Sequence, residues 1–374
     1  MSYIKTALFI LVMLVVVSLA SGVTGIAAKS REGEVVVRFG GLRADSQETT
    51  TQLFYISATP APKMPVMYGE VTYTTEKPTA YEWDYSVSYN PAQNGDPGGP
   101  DVTMSFESGW KKTSAPKIEF EFGNWLSGGT VTLTGKALIN GSWQTFGPIS
   151  TEILGTSPSW ANIASHVGSN TTLEKICVVE SSADQFLSSG YPNWNTGGDG
   201  GVGLMQISPS NVGVSSWTGP EVQPYAWNWV TNINQGKSTL LGYCLKKATN
   251  HQSNMAQNSE FVALAAKYNK AREAAGKKPV KVTVPKMTTG GWNNPLELER
   301  EAIHWYNGPG ENSDPVFGGS YEYTLQTSGD PSDPVLVLNV KESSLTATAI
   351  WVPVIATNSP YVVSVLNAQL PNKP

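Results

Sequence analysis

The sequence predicts a chain in two parts, an antiparallel β-sandwich followed by a mainly helical α+β domain. Three observations predict it. Residues 34–154 alternate polar and apolar positions with period two, in short runs broken by Gly, Pro, Asn and Asp. Beyond Ser157-Pro158 the apolar spacing changes to three and four, the period of helices with one buried face. The length of 374 residues exceeds what one core usually serves.

Residues 1–30 read as a targeting segment. Lys5 supplies a positive start, Ala7–Ala20 is almost unbroken apolar chain, and Ser18 and Ala20 are small residues placed for cleavage before Ser21. The run is short for a spanning helix, which needs about 20 residues. Val23 and Ile26-Ala27-Ala28 prolong the apolar character, so an uncleaved N-terminal anchor is the alternative to a signal peptide. Either way the reading is export, with a membrane as partner only if the segment stays attached.

In the next block, 31–155, the strand candidates are Glu34–Phe39, Gln52–Ile56, Tyr68–Thr74, Tyr81–Tyr89, Val102–Phe106, Lys117–Phe122, Thr130–Lys136 and Ile149–Ile153. Eight short strands with turn residues between them suggest a sandwich of immunoglobulin type. Cys…Trp…Cys is missing, so it is not antibody-like, and nothing in the block resembles a catalytic constellation. A spacer or a docking module for a protein partner is the expected role.

The remaining 156–374 carries helices at about Pro158–Val167, Leu173–Ser181, Trp229–Ala248, Glu260–Ala275 and Leu296–Tyr306. Pro158 opens the first, Thr171 with Glu174 forms a capping box for the second, Ser259 and Asn294-Pro295 cap the last two, and Gly276 ends the fourth. In the third, Ile233, Leu240, Leu241, Cys244 and Ala248 form the buried stripe. Val335–Val340 and Thr346–Val352 read as a C-terminal hairpin extension.

Composition narrows the function. Charged residues are only 15% of the chain and its net charge is −5, with no Lys/Arg-rich run, which excludes nucleic acid as a partner. An anionic polymer would have to be held by a shaped cleft. His166, His251 and His304 are scattered without metal-ligand spacing, so no metal and no cofactor is expected. Cys177 and Cys244 each fall on a helix's apolar stripe and are either a disulfide or two separate buried thiols.

The most informative segment is Ile176-Cys177-Val178-Val179-Glu180-Ser181. Leu173, Ile176, Cys177 and Glu180 follow the helical spacing, so the acid falls on the apolar stripe, near the helix's C-terminal end. Burial disfavours a charged carboxyl, and the negative end of the helix does too, so the group keeps a proton to donate at neutral pH. The alternatives are a solvated surface glutamate or a structural ion pair. The run Gly197-Gly198-Asp199-Gly200-Gly201-Val202-Gly203 lacks the strand and the Lys-Ser/Thr ending of a phosphate loop. It reads instead as a turn bringing backbone close to a ligand, with Leu204–Ile207 as a wall facing Glu180. Tyr306 continues the inward face of its helix before Asn307-Gly308 stops it.

Four segments in order resemble the soluble-lytic-type lytic transglycosylases of the lysozyme superfamily. They are Glu180-Ser181, Gly203-Leu204-Met205-Gln206, Asn232-Ile233-Asn234-Gln235-Gly236 and Tyr306-Asn307-Gly308-Pro309-Gly310, within about residues 158–310. The resemblance implies a lysozyme-like domain whose cleft binds peptidoglycan glycan strands in the bacterial periplasm or outside the cell. Glu180 matches the single catalytic acid/base. Ser181, Gly203, Leu204, Met205, Gln206, Tyr306 and Asn307 match substrate-side positions, with Tyr306 and Asn307 holding the sugar and steadying the glutamate. Ala183–Gly201 is longer than in simple members, and Lys277–Gly291 looks like an insertion.

The implied reaction protonates the bridging oxygen between N-acetylmuramic acid and N-acetylglucosamine, then uses the muramyl C6 hydroxyl to form a 1,6-anhydro product. Goose-type lysozymes carry an Asp where this chain has Ser208, which favours the transglycosylase, although Asp184 or Asp199 is a candidate second acid for hydrolysis. A non-catalytic wall-binding or scaffold protein is the reading from a different class. Tyr191, Trp194, Trp227 and Trp229 are candidates for stacking on sugars, or else for core packing.

Overall fold

The structure is a computed structural model that describes residues 35–42, 48–49, 53–73, 77–168, 170–255, 257, 259–274, 276, 278–279, 287–307, 323–325, 336–338 and 360–371. The expected targeting segment, the strand at Thr346–Val352 and Gly308-Pro309-Gly310 lie outside the described residues. The chain forms two compact units, and the division is not a single cut. One comprises residues 1–56, 64–89 and 105–154; the other takes Ser57–Lys63, Asn90–Met104 and Gly155–Pro374.

The first unit is built on β1 (Val35–Leu42), β2 (Glu48–Thr49), β3 (Leu53–Tyr55), β4 (Val66–Tyr73), β5 (Ala80–Tyr89), β6 (Met104–Glu107), β7 (Lys111–Thr113), β8 (Lys117–Glu119), β9 (Gly129–Ile139) and β10 (Ser142–Leu154). One sheet runs β2-β1-β4-β8 and the other β3-β10-β9-β5-β6, with β7 pairing β5. β3 and β10 run parallel. On β5 the inward positions Tyr81, Trp83, Tyr85, Val87 and Tyr89 are buried, which is the period-two pattern expected of a half-buried strand. Two observations show the sheets facing one another. Tyr85 stacks on Phe120 at 4.2 Å between centroids, and a Cβ at Gly69 of β4 would lie 2.4 Å from the Leu133 side chain of β9. The expected strand 117–122 stops at Glu119, and Phe120 and Phe122 continue inward as irregular chain. Lengths of two and three residues left β2 and β7 without a readable period.

The second unit contains α1 (Pro91–Asn94), α2 (Trp160–Val167), α3 (Thr171–Ser181), α4 (Gly219–Trp227), α5 (Trp229–Ser238), a π-helical turn at Thr239–Cys244, α6 (Leu245–Met255), α7 (Ser259–Ala274), α8 (Glu297–Tyr306) and α9 (Pro360–Asn367). The expected 229–248 helix is thus a continuous helical run through the π turn. Ile233, Leu240, Cys244 and Ala248 are buried as expected, but Leu241 is only half-buried. Leu241 lies within the π turn, whose altered pitch carries it off the stripe that Leu240, Cys244 and Ala248 keep. β11 (Tyr323–Leu325) pairs with β12 (Leu336–Leu338), so the strand expected at 335–340 has an unexpected partner.

Several caps differ from expectation. α2 begins after Pro158, with Ser159 Oγ accepting from Asn162 N at 3.3 Å. Asn170, not Thr171, caps α3, and Glu174 is buried rather than reaching back. Thr171 N instead donates to Asn293 Oδ1 at 2.9 Å, and the Thr172 hydroxyl donates to the Trp292 carbonyl. At α8 the cap is Leu296, whose N–H donates to Glu299, not Asn294-Pro295. α4 was not expected; it holds Pro220 in its first turn and Pro224 inside. Thr218 and Glu221 carry it, with the Thr218 N–H and hydroxyl both donating to the Glu221 carboxylate. α9 was missed because Tyr361-Val362-Val363 is β-forming sequence; Pro360 at its first turn was the available sign. It buries Val362 and Val365, and Lys175 of α3 donates to the Leu366 carbonyl at 2.6 Å.

Candidate active site

Glu180 lies on the last turn of α3, beyond the fully buried Leu173, Ile176 and Cys177. The helix ends one residue later, at Ser181, because Ser182 and Ala183 both take left-handed backbone angles, with φ of +59° and +66°. Their N–H groups satisfy the Val178 and Cys177 carbonyls, each at 2.9 Å. Non-glycine residues resist this conformation by roughly 1–2 kcal/mol each. Of the four described examples, Ser182, Ala183 and Gln206 all belong to this site. Strain of that kind concentrates where function over-determines the backbone.

The wall is a tight turn. Val202 and Ile207 exchange hydrogen bonds at 3.1 and 3.0 Å, with Gly203–Gln206 between them. Gly203 has φ of +76°, and a Cβ there would lie 2.4 Å from Asn232 Nδ2. Two fully buried amides hold the turn from behind. Asn232 Oδ1 accepts from Met205 N at 2.8 Å while its Nδ2 donates to the Val202 carbonyl at 2.7 Å. Gln185 Oε1 accepts from Leu204 N at 3.2 Å, and its Nε2 donates to the Ala226 carbonyl at 2.8 Å. One helical turn after Asn232, Gly236 leaves room for Met205, whose Sδ would lie 2.3 Å from an added Cβ.

All four sequence segments therefore meet at one stretch of backbone. Ser181 Oγ lies 2.9 Å from the Leu204 carbonyl, Asn232 holds the Met205 N–H, Gly236 accommodates its side chain, and the Tyr306 hydroxyl donates to its carbonyl at 2.9 Å. In front of this wall is a cleft of about 900 Å³, lined in part by Glu180, Asn195, Asp199, Gln206, Ser208, Gln235, Tyr243, Trp305, Tyr306 and Asn307. Of the residues expected on the substrate side, Gln206, Tyr306 and Asn307 line it. Gly203, Leu204 and Met205 form the wall without lining the cleft, and Ser181 braces it through the Leu204 carbonyl. The buried Gln206 Oε1 accepts no hydrogen bond from the described residues, while its Nε2 donates to the Gly203 carbonyl at 2.8 Å.

Sequence reasoning gave Tyr306 the task of steadying Glu180. The structure gives that contact to Tyr361 of α9, whose hydroxyl donates to Glu180 Oε1. Burial pushes the Glu180 pKa up to about 7; the Tyr361 hydrogen bond pulls it back in part, and the nearby Asp199 carboxylate adds to the rise. Burial, and then the Glu180 charge, hold the Tyr361 hydroxyl well above its ordinary range, so it remains a donor. The same two causes raise Tyr306.

The second-acid candidates separate. Asp199 lines the cleft, held by Asn195 Nδ2 at 2.8 Å and Gly201 N at 2.9 Å, whereas Asp184 is exposed and does not line it. Cys177 and Cys244 are two free buried thiols rather than a disulfide, and burial pushes both up to about 12. Trp194, Trp227 and Trp229 are core residues, not sugar platforms. Among the described residues no group of three or more His, Cys, Asp or Glu side chains is placed to hold a metal, and no helix is long and apolar enough to cross a membrane.

Sequence reasoning missed Gln185 and Tyr361, as well as Asn195, Tyr243 and Trp305 in the cleft lining. Gln185 and Tyr361 lie in no recognisable segment, and only the fold brings them to Leu204 and Glu180. Comparison with family models, curated proteins and solved structures returned no match, so the arrangement of Glu180, Tyr361 and the Met205 wall is judged on its own chemistry.

Proposed function

We propose that the chain is an exported lytic transglycosylase with a lysozyme-like catalytic domain. It breaks the β-1,4 bond between N-acetylmuramic acid and N-acetylglucosamine in peptidoglycan. One observation carries the proposal: a carboxyl with its pKa raised to about 7 opens onto a cleft large enough for several sugars. The meeting of all four resembling segments at Leu204-Met205 supports the same reading, since each of them then has a structural reason for its residue type.

Glu180 donates its proton to the glycosidic oxygen as the bond to C1 breaks. The resulting carboxylate accepts the proton of the muramyl C6 hydroxyl as that oxygen attacks C1, closing the 1,6-anhydro ring. An internal nucleophile brings effective molarities of about 10⁵ M or more, so no activated water is required. Tyr361 orients the carboxyl. Dye release from purified murein tests the reading. The Glu180→Gln chain should lose activity by about 10²-fold or more, and activity surviving that change refutes the assignment.

Asp199 favours a second reading on the same scaffold. As a cleft carboxylate close enough to raise Glu180, it could activate a water and give hydrolysis. Mass spectrometry of the released muropeptides separates the two, by anhydro or by reducing ends.

A further inference from the structure

We infer that Tyr243, Lys247 and Trp305 form a subsite for a sugar ring bearing a carboxylate arm. This inference rests on the peptidoglycan reading above and names which part of that polymer the cleft grips. Tyr243 and Trp305 both line the cleft, and Tyr243 is 58% exposed. Its exposure has a cause in the fold. Leu240 and Cys244 keep the π turn anchored in the core, and the wider turn presents Tyr243 outward between them. The Trp305 indole is fixed by its Nε1–H, which donates to Glu301 Oε1 at 3.0 Å. Its polar edge is thereby satisfied, and the ring adds apolar surface to the cleft lining.

Lys247 lies one turn after Tyr243 on α6. Its Nζ is 5.3 Å from the Tyr243 ring centroid and 5.4 Å from that of Trp305, so one ammonium serves both rings. A pyranose has an apolar C–H face and a polar rim. Stacked on either ring, it would bring a rim substituent within reach of this cation. The described lining of the cleft carries the carboxyl groups of Glu180 and Asp199 and no Lys or Arg, so Lys247 bears on it through the two rings it sits against, on a chain of net charge −5. A single ammonium at this place therefore discriminates between neutral and anionic ligands more than it adds attraction. Peptidoglycan offers the carboxylate from two sources, the lactyl group of peptide-free muramic acid and the stem peptide.

The test uses the full chain with Glu180→Gln, so that ligand is bound without cleavage. Calorimetry compares chitotetraose, a peptide-free tetrasaccharide of alternating N-acetylglucosamine and N-acetylmuramic acid, and the same tetrasaccharide bearing stem peptides. Adding Lys247→Met should reduce the preference for carboxylate-bearing over neutral ligand by about fivefold, and Lys247→Arg should restore it. Tyr243→Ala should weaken all three ligands by about tenfold. Loss of preference for the peptide-bearing ligand assigns the stem, and loss for the peptide-free ligand assigns the lactyl group. A preference untouched by Lys247→Met, or affinities untouched by Tyr243→Ala, overturns the subsite while murein cleavage by the unmodified chain still supports the enzyme. Failure of the parent chain to bind or cleave any glycan removes both.

Discussion

Replacing Glu180 by Gln should stabilise the helical unit at neutral pH even as it removes the proton donor. Burial raises the Glu180 pKa from 4.5 to about 7 against the opposing Tyr361 hydrogen bond, with a further rise from Asp199. The folded chain therefore holds this proton more tightly than the unfolded chain. Its stabilising effect is complete below pH 4.5 and is lost as pH rises to about 7. The difference between 4.5 and about 7, at about 1.4 kcal/mol for each tenfold, sets a ceiling of roughly 3.5 kcal/mol. Water reaching the carboxyl from the cleft reduces the expected loss to about 2 kcal/mol. Glutamine keeps the shape and the acceptor that Tyr361 needs, and has no proton to lose. Urea unfolding followed by tryptophan fluorescence, at pH 4.5 and pH 8 for both proteins, reads the difference directly. The variant should match the parent at the lower pH and exceed it by about 2 kcal/mol at the higher. A variant no more stable at pH 8 than the parent means the carboxyl is not desolvated, and the acid mechanism then has no donor.

Tyr361→Phe removes the one contact that lowers the Glu180 pKa, so the alkaline limb of the pH–rate profile should move to higher pH; a profile that stays in place denies Tyr361 its role. Gly203→Ala puts a Cβ 2.4 Å from Asn232 Nδ2 at φ of +76°, and thermal unfolding should show a loss of about 2–4 kcal/mol together with lost cleavage. Glu299 is buried on α8 and accepts from the Thr289 hydroxyl and the Gly290, Gly291 and Leu296 N–H groups. Although burial opposes ionisation, these bonds together hold its pKa below the usual carboxylate range, so its stabilisation is present above the unfolded value and lost as pH falls through the folded one. Glu299→Gln should cost about 1.5–3 kcal/mol at neutral pH in a denaturant titration and flatten the acid side of the stability curve.

What could be read from sequence and what could not divides along contact range. The burial of Leu173, Ile176 and Cys177 follows from spacing within a single helix, and so does the position of Glu180 among them. The turn at Gly203–Gln206 follows from local glycine and from the return to apolar chain. The capping errors at Thr171 and Asn294 have a different origin. Other side chains, three positions away for Leu173 and Leu296 or from another loop altogether for Thr171, satisfied the N–H groups at these helix starts. Thr171 shows this, since its N–H is taken by Asn293. The π turn is similarly hidden, because Leu240 and Cys244 at a spacing of four suit an ordinary helix as well.

The contact between Tyr361 and Glu180 is the extreme case. Tyr361 is 181 residues from Glu180, in a stretch whose Val-rich composition suits a strand, and it folds as a helix because Val362 and Val365 find a buried face. Local propensity carries no information about that face. Motif order was therefore enough to nominate the acid, while the group that orients it was accessible only through packing. The same reasoning explains the exchange of aromatic roles. Trp194, Trp227 and Trp229 are close in sequence to the wall and were absorbed by the core that supports it, whereas Tyr243 reached the cleft because a turn of altered pitch displaced it from that core.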